Sequence, residues 1–347
     1  MSTASTTVQP RSPAWANIGR ALTQNESIVA IILVVFVVVA ALINPAFFSV
    51  EHLFNVLRSS IVIGIFAMGT LIVLVSGGVD VSFTAIAVFA MYSSVQIMIA
   101  TGVDNIFFAF ALSAAIGLGL GLINAALISF FKLPTLIVTL GTLWAYRGFL
   151  LEYVGQKLVT DVPDGMTDFW RANLFTTQTE RGTLTSLHSS ILIVIAVAII
   201  TWLILKYTML GRGIYALGGA PEAAERAGFN IRLIYFFIFG FVGVLAGIGG
   251  IVWASLARVA DPNTMVGYEL TVIAAAVLGG ARITGGRGTV VGTLLGVLLL
   301  QTINNSLILL HIEPYWQQAV VGLIIILGTG IPAWQQKRAR RQVGTNI

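Results

Sequence analysis

Long apolar runs separated by short polar breaks dominate the chain from residue 27 onward. An α-helix rises about 1.5 Å per residue, so about 20 apolar residues cross the roughly 30 Å hydrocarbon layer of a bilayer. Runs of that kind lie near residues 27–43, 59–76, 81–100, 106–131, 134–151, 189–207, 232–254, 289–310 and 316–334, with a shorter one near 269–281. The pattern predicts an all-α polytopic membrane protein of about 10 transmembrane helices, or 8–10 if the short run is a half-helix. The apolar stretch from Ile61 to Ala100 would reach about 60 Å as one helix and must therefore turn. The turn falls at Ser76-Gly77-Gly78-Val79-Asp80. One transmembrane domain over 27–335 is expected, with a segment 1–26 before it and a basic tail 336–347 after it. Its long extramembrane loop is about 152–187, and a mixed polar loop lies at about 208–231. The first run, Ile28 to Ile43, leads into Asn44-Pro45 without a small-residue cleavage pattern and reads as a retained span.

Composition agrees with this pattern. Of 347 residues, 57% are hydrophobic and 10% charged, against about 25% charged in an average soluble domain. So few charges cannot clothe a water-soluble fold of this size, which excludes a soluble enzyme, a nucleic-acid binder and a disordered scaffold. Mean hydropathy is +0.94 and the isoelectric point about 9.7. With ten crossings both termini share a side, and 13 of the 19 Lys and Arg residues fall there, against 6 on the other side. The positive-inside rule then predicts that both termini are cytoplasmic, with the 152–187 loop outside. The chain has no cysteine, so disulfides and thiolate metal sites are absent.

Glycine is abundant, at 36 residues. Gly117, Gly119 and Gly121, then Gly243, Gly247 and Gly250, then Gly292 and Gly296 stand at small-residue spacing inside spans. Close approach of helices accounts for such spacing, with a role in solute passage as the other reading. Two glycine-rich breaks share a form, Ser76 to Ser82 and Leu278 to Gly288, each between apolar helices. They fit ordinary interhelical turns, or the broken helices that line transport paths in proteins built from related halves.

Catalytic chemistry is missing from the pattern. His52, His188 and His311 have no metal-ligand spacing, and no lysine follows a glycine, so there is no phosphate-binding loop of the Gly-Lys type. The chain is expected not to be an enzyme and to hydrolyse no ATP itself. Ionisable residues of the kind an ion-coupled transporter buries are also scarce. Asp80, Arg58 and Arg147 are the nearest candidates, each at the end of an expected span. Any energy should come from a partner.

The mixed loop runs from Lys206 to Ile231. Pro221 can open a helix, Glu222 complements its positive end, Ala223 and Ala224 are strong helix formers, and Gly228 can end it. A short helix across one membrane face follows, either a solvated connector or a docking element for another protein. Glu222-Ala223-Ala224-x-x-x-Gly228 resembles the EAA-x3-G coupling motif of ABC importer permeases. The resemblance extends to Gly211-Arg212-x-x-Tyr215-Ala-Leu-Gly-Gly, Ser76-Gly-Gly-Val-Asp-Val-Ser82, Gly279 to Gly296, Asn304-Asn305 and Asn44-Pro45-x-Phe47. Across about residues 44–334 the chain is similar to permeases of the ribose/xylose/arabinose class of ABC sugar importers. It departs at Phe83-Thr84 and at Ser306, where that class usually has small residues or glycine.

The resemblance implies a homodimeric permease that binds no cofactor and imports a monosaccharide or related polyol. ATP would be used by a cytoplasmic ATPase docked on the loop, and a periplasmic or extracellular sugar-binding protein would deliver the solute. Gly211, Arg212, Glu222, Ala223, Ala224 and Gly228 are the expected ATPase-coupling residues. Ser76, Gly77, Gly78, Asp80, Ser82, Gln301, Asn304 and Asn305, polar or small and near the breaks and last spans, are expected along the solute path. Other readings are a permease of the branched-chain amino acid class and an autonomous ion-coupled transporter.

Overall fold

A computed structural model of the chain describes residues 25–309, except 179–181 and 183, and beyond them residues 316, 319, 322, 323 and 326. Most of segment 1–26, nearly all of the expected span at 316–334, His311 and the basic tail 336–347 lie outside the described residues. Helices α1 (Asn25–Ile43), α2 (Val50–Val75), α3 (Phe83–Thr101), α4 (Ile106–Phe131) and α5 (Thr135–Phe149) come first. A π-helical turn, Leu150–Val154, extends α5. The long loop then folds as helix α6 (Asp164–Arg171) and an antiparallel hairpin of β1 (Asn173–Gln178) and β2 (Leu184–His188). There follow α7 (Ile191–Tyr207), α8 (Met209–Gly219), α9 (Pro221–Arg226), α10 (Ile231–Ala257), α11 (Tyr268–Leu278) and α12 (Val290–Leu309).

Among the described residues, six helices, α1 to α4, α10 and α12, are long and apolar enough to cross a bilayer. The pair α7–α8 meets the same length and composition but bends by 75° at its break. Side-chain caps explain several starts. Ser49 accepts from the His52 amide, Asn105 from Phe107 and Phe108, and Asn230 from Leu233, each satisfying a donor that a helix start leaves open. The Ser49 cap opens α2 at Val50, so Arg58 stands inside this helix and not at its end as the hydropathy run suggests.

The connections sort into two ends. At one, Gly286 donates to the Val75 carbonyl, Val79 to Thr135 Oγ1 and the Tyr215 hydroxyl to the Gly288 carbonyl, while Thr289 bonds Glu26 at the start of α1. At the other, Val159 and Ala260 form a β-bridge, Gly165 lies against the Asp104 backbone and the Tyr92 hydroxyl donates to the Lys157 carbonyl. The hairpin belongs to this second end, where His188 Nε2 faces the Phe169 and Trp170 carbonyls at 3.0 and 3.1 Å and Arg258 stacks on Trp170.

Helix α2 is the axle of the bundle. Every residue from Ser60 to Val75 is buried, in a helix that packs against α7, α8, α10, α11 and α12. The most intimate seam joins α4 to α10. A β-carbon on Gly117 would meet the Gly243 carbonyl, one on Gly121 the Phe239 carbonyl, and one on Gly247 the Ser113 carbonyl. Ser113 Oγ donates to the Gly247 carbonyl across the seam at 2.9 Å. Lipid supplies no hydrophobic drive between helices, so close backbone packing of small residues is what binds them. Gly119, by contrast, faces open space. Between α11 and α12 the same packing recurs, Gly279 on Gly292 and Gly296 on Ala275.

Gly243→Leu should therefore destabilise the detergent-purified protein by about 2 kcal/mol or more through overpacking, while Gly119→Leu should leave its melting temperature nearly unchanged. Thermal unfolding of both variants checks this.

Candidate functional site

The first break, between α2 and α3, is a buried hydrogen-bonded knot. Ser76 Oγ returns to the Val73 carbonyl at 2.7 Å. Asp80 is 1% exposed, and its Oδ1 accepts from the Ser82 amide and hydroxyl, both at 2.7 Å. Asn124 of α4 donates to Ser82 Oγ at 2.8 Å, and Tyr146 of α5 donates to the Leu120 carbonyl and lies 3.2 Å from Asn124 Oδ1. Thr135 Oγ1 accepts from the Val79 amide, and Thr139 Oγ1 donates to the Val79 carbonyl and accepts from the Val81 amide. Helix α5 thus supplies the partners that the interrupted backbone loses.

The second break, between α11 and α12, meets the first. Gly286 N donates to the Val75 carbonyl at 2.8 Å, and Gly285, at φ +85°, lies against Gly77 and Gly218. Gly218, near the end of α8, is pressed on the Val75 carbonyl, where no side chain would fit. Three glycine segments from distant parts of the chain converge here.

Helix α8 leads from this junction to the mixed loop. Thr208 caps it, accepting from Gly211, and Gly211 allows its first turn to lie on the Ile204 and Leu205 carbonyls. Residues 209–219, read as loop from the sequence, are helical because that cap and the packing of Gly213, Ile214 and Leu217 outweigh a glycine-rich composition. Helix α9 begins with Pro221 in its first turn and ends before Gly228 at φ +87°. Ala224 is its buried anchor. Arg212, Glu222, Ala223 and Gly228 are exposed, with Glu222 paired to Arg226 at 3.1 Å. Gly211 alone of the expected coupling residues besides Ala224 is buried.

A cavity of about 520 Å³ opens toward the other end. Helix α2 contributes Asn55, Arg58 and Ser59, α10 contributes Trp253, α11 contributes Tyr268 and Thr271, and α12 contributes Gln301, Asn304 and Asn305. Asn305 Nδ2 donates to Ser59 Oγ and to the Gln301 carbonyl, both at 2.8 Å, tying α12 to α2. The side chains of Asn55, Arg58, Gln301 and Asn304 make no hydrogen bond or ion pair among the described residues and remain available to a ligand. His188, the last residue of β2, is held below its ordinary pKa by burial, with Arg58 adding to the effect and hydrogen bonds to Phe169 and Trp170 opposing it.

The residues expected along a solute path therefore divide. Gln301, Asn304 and Asn305 line the cavity, whereas Ser76, Gly77, Gly78, Asp80 and Ser82 sit in the knot and junction and do not line it. Asn55, Ser59, Trp253, Tyr268 and Thr271 were missed. Asn55, Arg58, Ser59 and Val62 do fall at helical spacing on one face of α2, a signal the sequence carries.

The chain matches the family described as branched-chain amino acid transport system / permease component over residues 52–328. It is 34% identical to the ribose import permease protein of Haemophilus influenzae over 310 residues, 89% of this chain and 93% of that protein. Identity to the ribose import permease protein of Bacillus subtilis is 34% over 295 residues, 85% of this chain and 88% of that one. The galactose/methyl galactoside import permease protein of Escherichia coli is 29% identical over 328 residues, 91% of this chain and 96% of that protein. No solved structure matches the chain.

Because the chain has no cysteine, single cysteines report accessibility directly. Asn304→Cys and Asn55→Cys should react with a membrane-impermeant maleimide, and Ser82→Cys and Asn124→Cys should not. Labelling of Ser82→Cys at the rate of Asn304→Cys would merge the knot with the cavity.

Proposed function

The chain belongs to the permease-component family of simple-sugar ABC importers, and from that membership we propose that it passes a monosaccharide or related polyol across the cytoplasmic membrane. The observation that carries this is the cavity, in which four amide side chains, hydroxyls and two aromatic faces surround a space of about 520 Å³. Sugar hydroxyls both donate and accept, and amides answer both needs. The amino acid reading suits it less well. A carboxylate best balances a zwitterion's ammonium, and among the described residues that line the cavity Arg58 is the one charged side chain, with no Asp or Glu.

ATP is used by a partner ATPase that docks on the exposed face of α9, where Glu222, Ala223 and Gly228 stand clear of the bundle and Arg212 lies exposed on α8. Gly211 and Ala224 seat the arm on the bundle. Among the described residues, seven of twelve Lys and Arg residues lie at the α8–α9 end, and with the basic tail of the sequence this supports placing that end and both termini in the cytoplasm, with ten crossings in all. The hairpin end then faces a periplasmic or extracellular sugar-binding protein. A single domain over 27–335 pairs with a second copy, supported by the largely exposed apolar faces of α1 and α4, which need lipid or another protein against them. Ser76 to Ser82 serves this path from below as the floor between cavity and arm.

Reconstituted with its ATPase and binding protein, the chain should take up sugar only with ATP. Glu222→Arg or Gly228→Arg should reduce uptake by about tenfold or more, the effect of roughly 1.4 kcal/mol at a docking surface, with membrane insertion intact. Full uptake by either variant, or uptake by the chain alone under a proton gradient, overturns this reading.

A further inference from the structure

The arm formed by α8 and α9 touches the rest of the protein at a place its docking role does not explain. Tyr215 of α8 donates its hydroxyl to the Gly288 carbonyl at 2.7 Å, and Gly288 in turn lies against Leu71 and Val75 of α2. One helical turn further on, Gly218 meets the Val75 carbonyl and Gly285. The arm therefore holds both breaks at once, the first through Gly218 and the second through Tyr215. The second break is also held by its own turn, Gly285 N to the Arg282 carbonyl and Arg282 N to the Arg287 carbonyl, by Gly286 on Val75, and by Gly285 packed on Gly77 and Gly218.

We propose that Tyr215 is the positioning residue that transmits displacement of the ATPase-docked arm to the second break, and through α11 and α12 to the cavity. Tyr268 and Thr271 of α11 and Gln301, Asn304 and Asn305 of α12 line that cavity, so moving the loop that joins the two helices reshapes its wall. Gly218 lets the arm slide on Val75 without side-chain interlock, and Tyr215 is the directional link. The proposal rests on α9 being the docking site.

Tyr215→Phe removes the hydroxyl and keeps the ring, so the fold should persist. In vesicles holding the complete importer, the measured quantity is solute imported per ATP hydrolysed, with ATPase co-purification read beside it. The expected result is normal co-purification and a ratio lowered about fivefold, the scale of one net hydrogen bond, and Tyr215→Leu should lower it further. Normal co-purification with an unchanged ratio overturns the role of Tyr215 and leaves the docking reading standing. A Glu222→Arg chain that still binds and is driven by the ATPase overturns both.

Discussion

Every backbone N–H and C=O within a bilayer must find a partner inside the protein, because the hydrocarbon offers none. An uninterrupted helix meets that demand by itself, and each break must meet it from elsewhere. At the first break, Thr135 and Thr139 of α5 bond Val79 and Val81, and Asp80 turns back onto Ser82. At the second, Gly286 bonds the Val75 carbonyl that α2 leaves open at its end. The breaks can exist because they satisfy each other and are satisfied by α5, so the glycine junction is a requirement of the fold before it is a device.

Meeting this requirement fixes where other parts can lie. Partners within hydrogen-bond reach hold Ser76–Ser82, the end of α8 and residues 279–289 together at one end of the bundle. The cavity stands on the opposite half of α2, with Ser59 roughly 24 Å of helical rise from Val75. The proposed docking helix α9 and the cavity near Asn304 are therefore separated by the length of the buried stretch Ser60–Val75 of α2. Only elements that run between the two places can connect them, and α10, α11 and α12 do so together with α2.

How much of this was legible follows from which forces act locally. Nine of the apolar runs coincide with helices, because the cost of exposing backbone to lipid is written into hydropathy along the chain. The short run became α11, only 11 residues long. The α9 helix was readable from Pro221 and Gly228 because caps are local signals. Helix α8 was not, since its glycines argue against a helix until Thr208 and the α7 carbonyls are in place. Nor was the hairpin, whose strand β1 is exposed at every residue and carries no alternation of apolar and polar positions. For the site, Gln301, Asn304 and Asn305 stood out as polar residues in an apolar helix, but Trp253 and Tyr268 looked like any of the chain's aromatics. Which face a residue presents is decided by the neighbours of its helix, and a single sequence does not contain them. Asp80 and Ser82 separate from the asparagines for the same reason: the first pair serves the interrupted backbone and the second lines the cavity.

Motion has few places to occur in such a bundle. Interdigitated side chains make packed helices resist continuous deformation and favour discrete arrangements. Along the buried half of α2 the packing offers no freedom, and the α4–α10 seam is locked backbone to backbone with the Ser113 bond across it. At the junction of Gly77, Gly218 and Gly285 the contact is confined to a few glycines and the Gly286–Val75 hydrogen bond, whereas the seam extends from Ser113 to Gly121, so a shift at the junction disturbs fewer contacts. A partner can shift the balance of two conformations only by its difference in affinity for them, and that difference must be felt where the structure yields. The glycine junction lies directly behind the exposed helix α9, so the yielding point and the proposed point of attachment are one short arm apart.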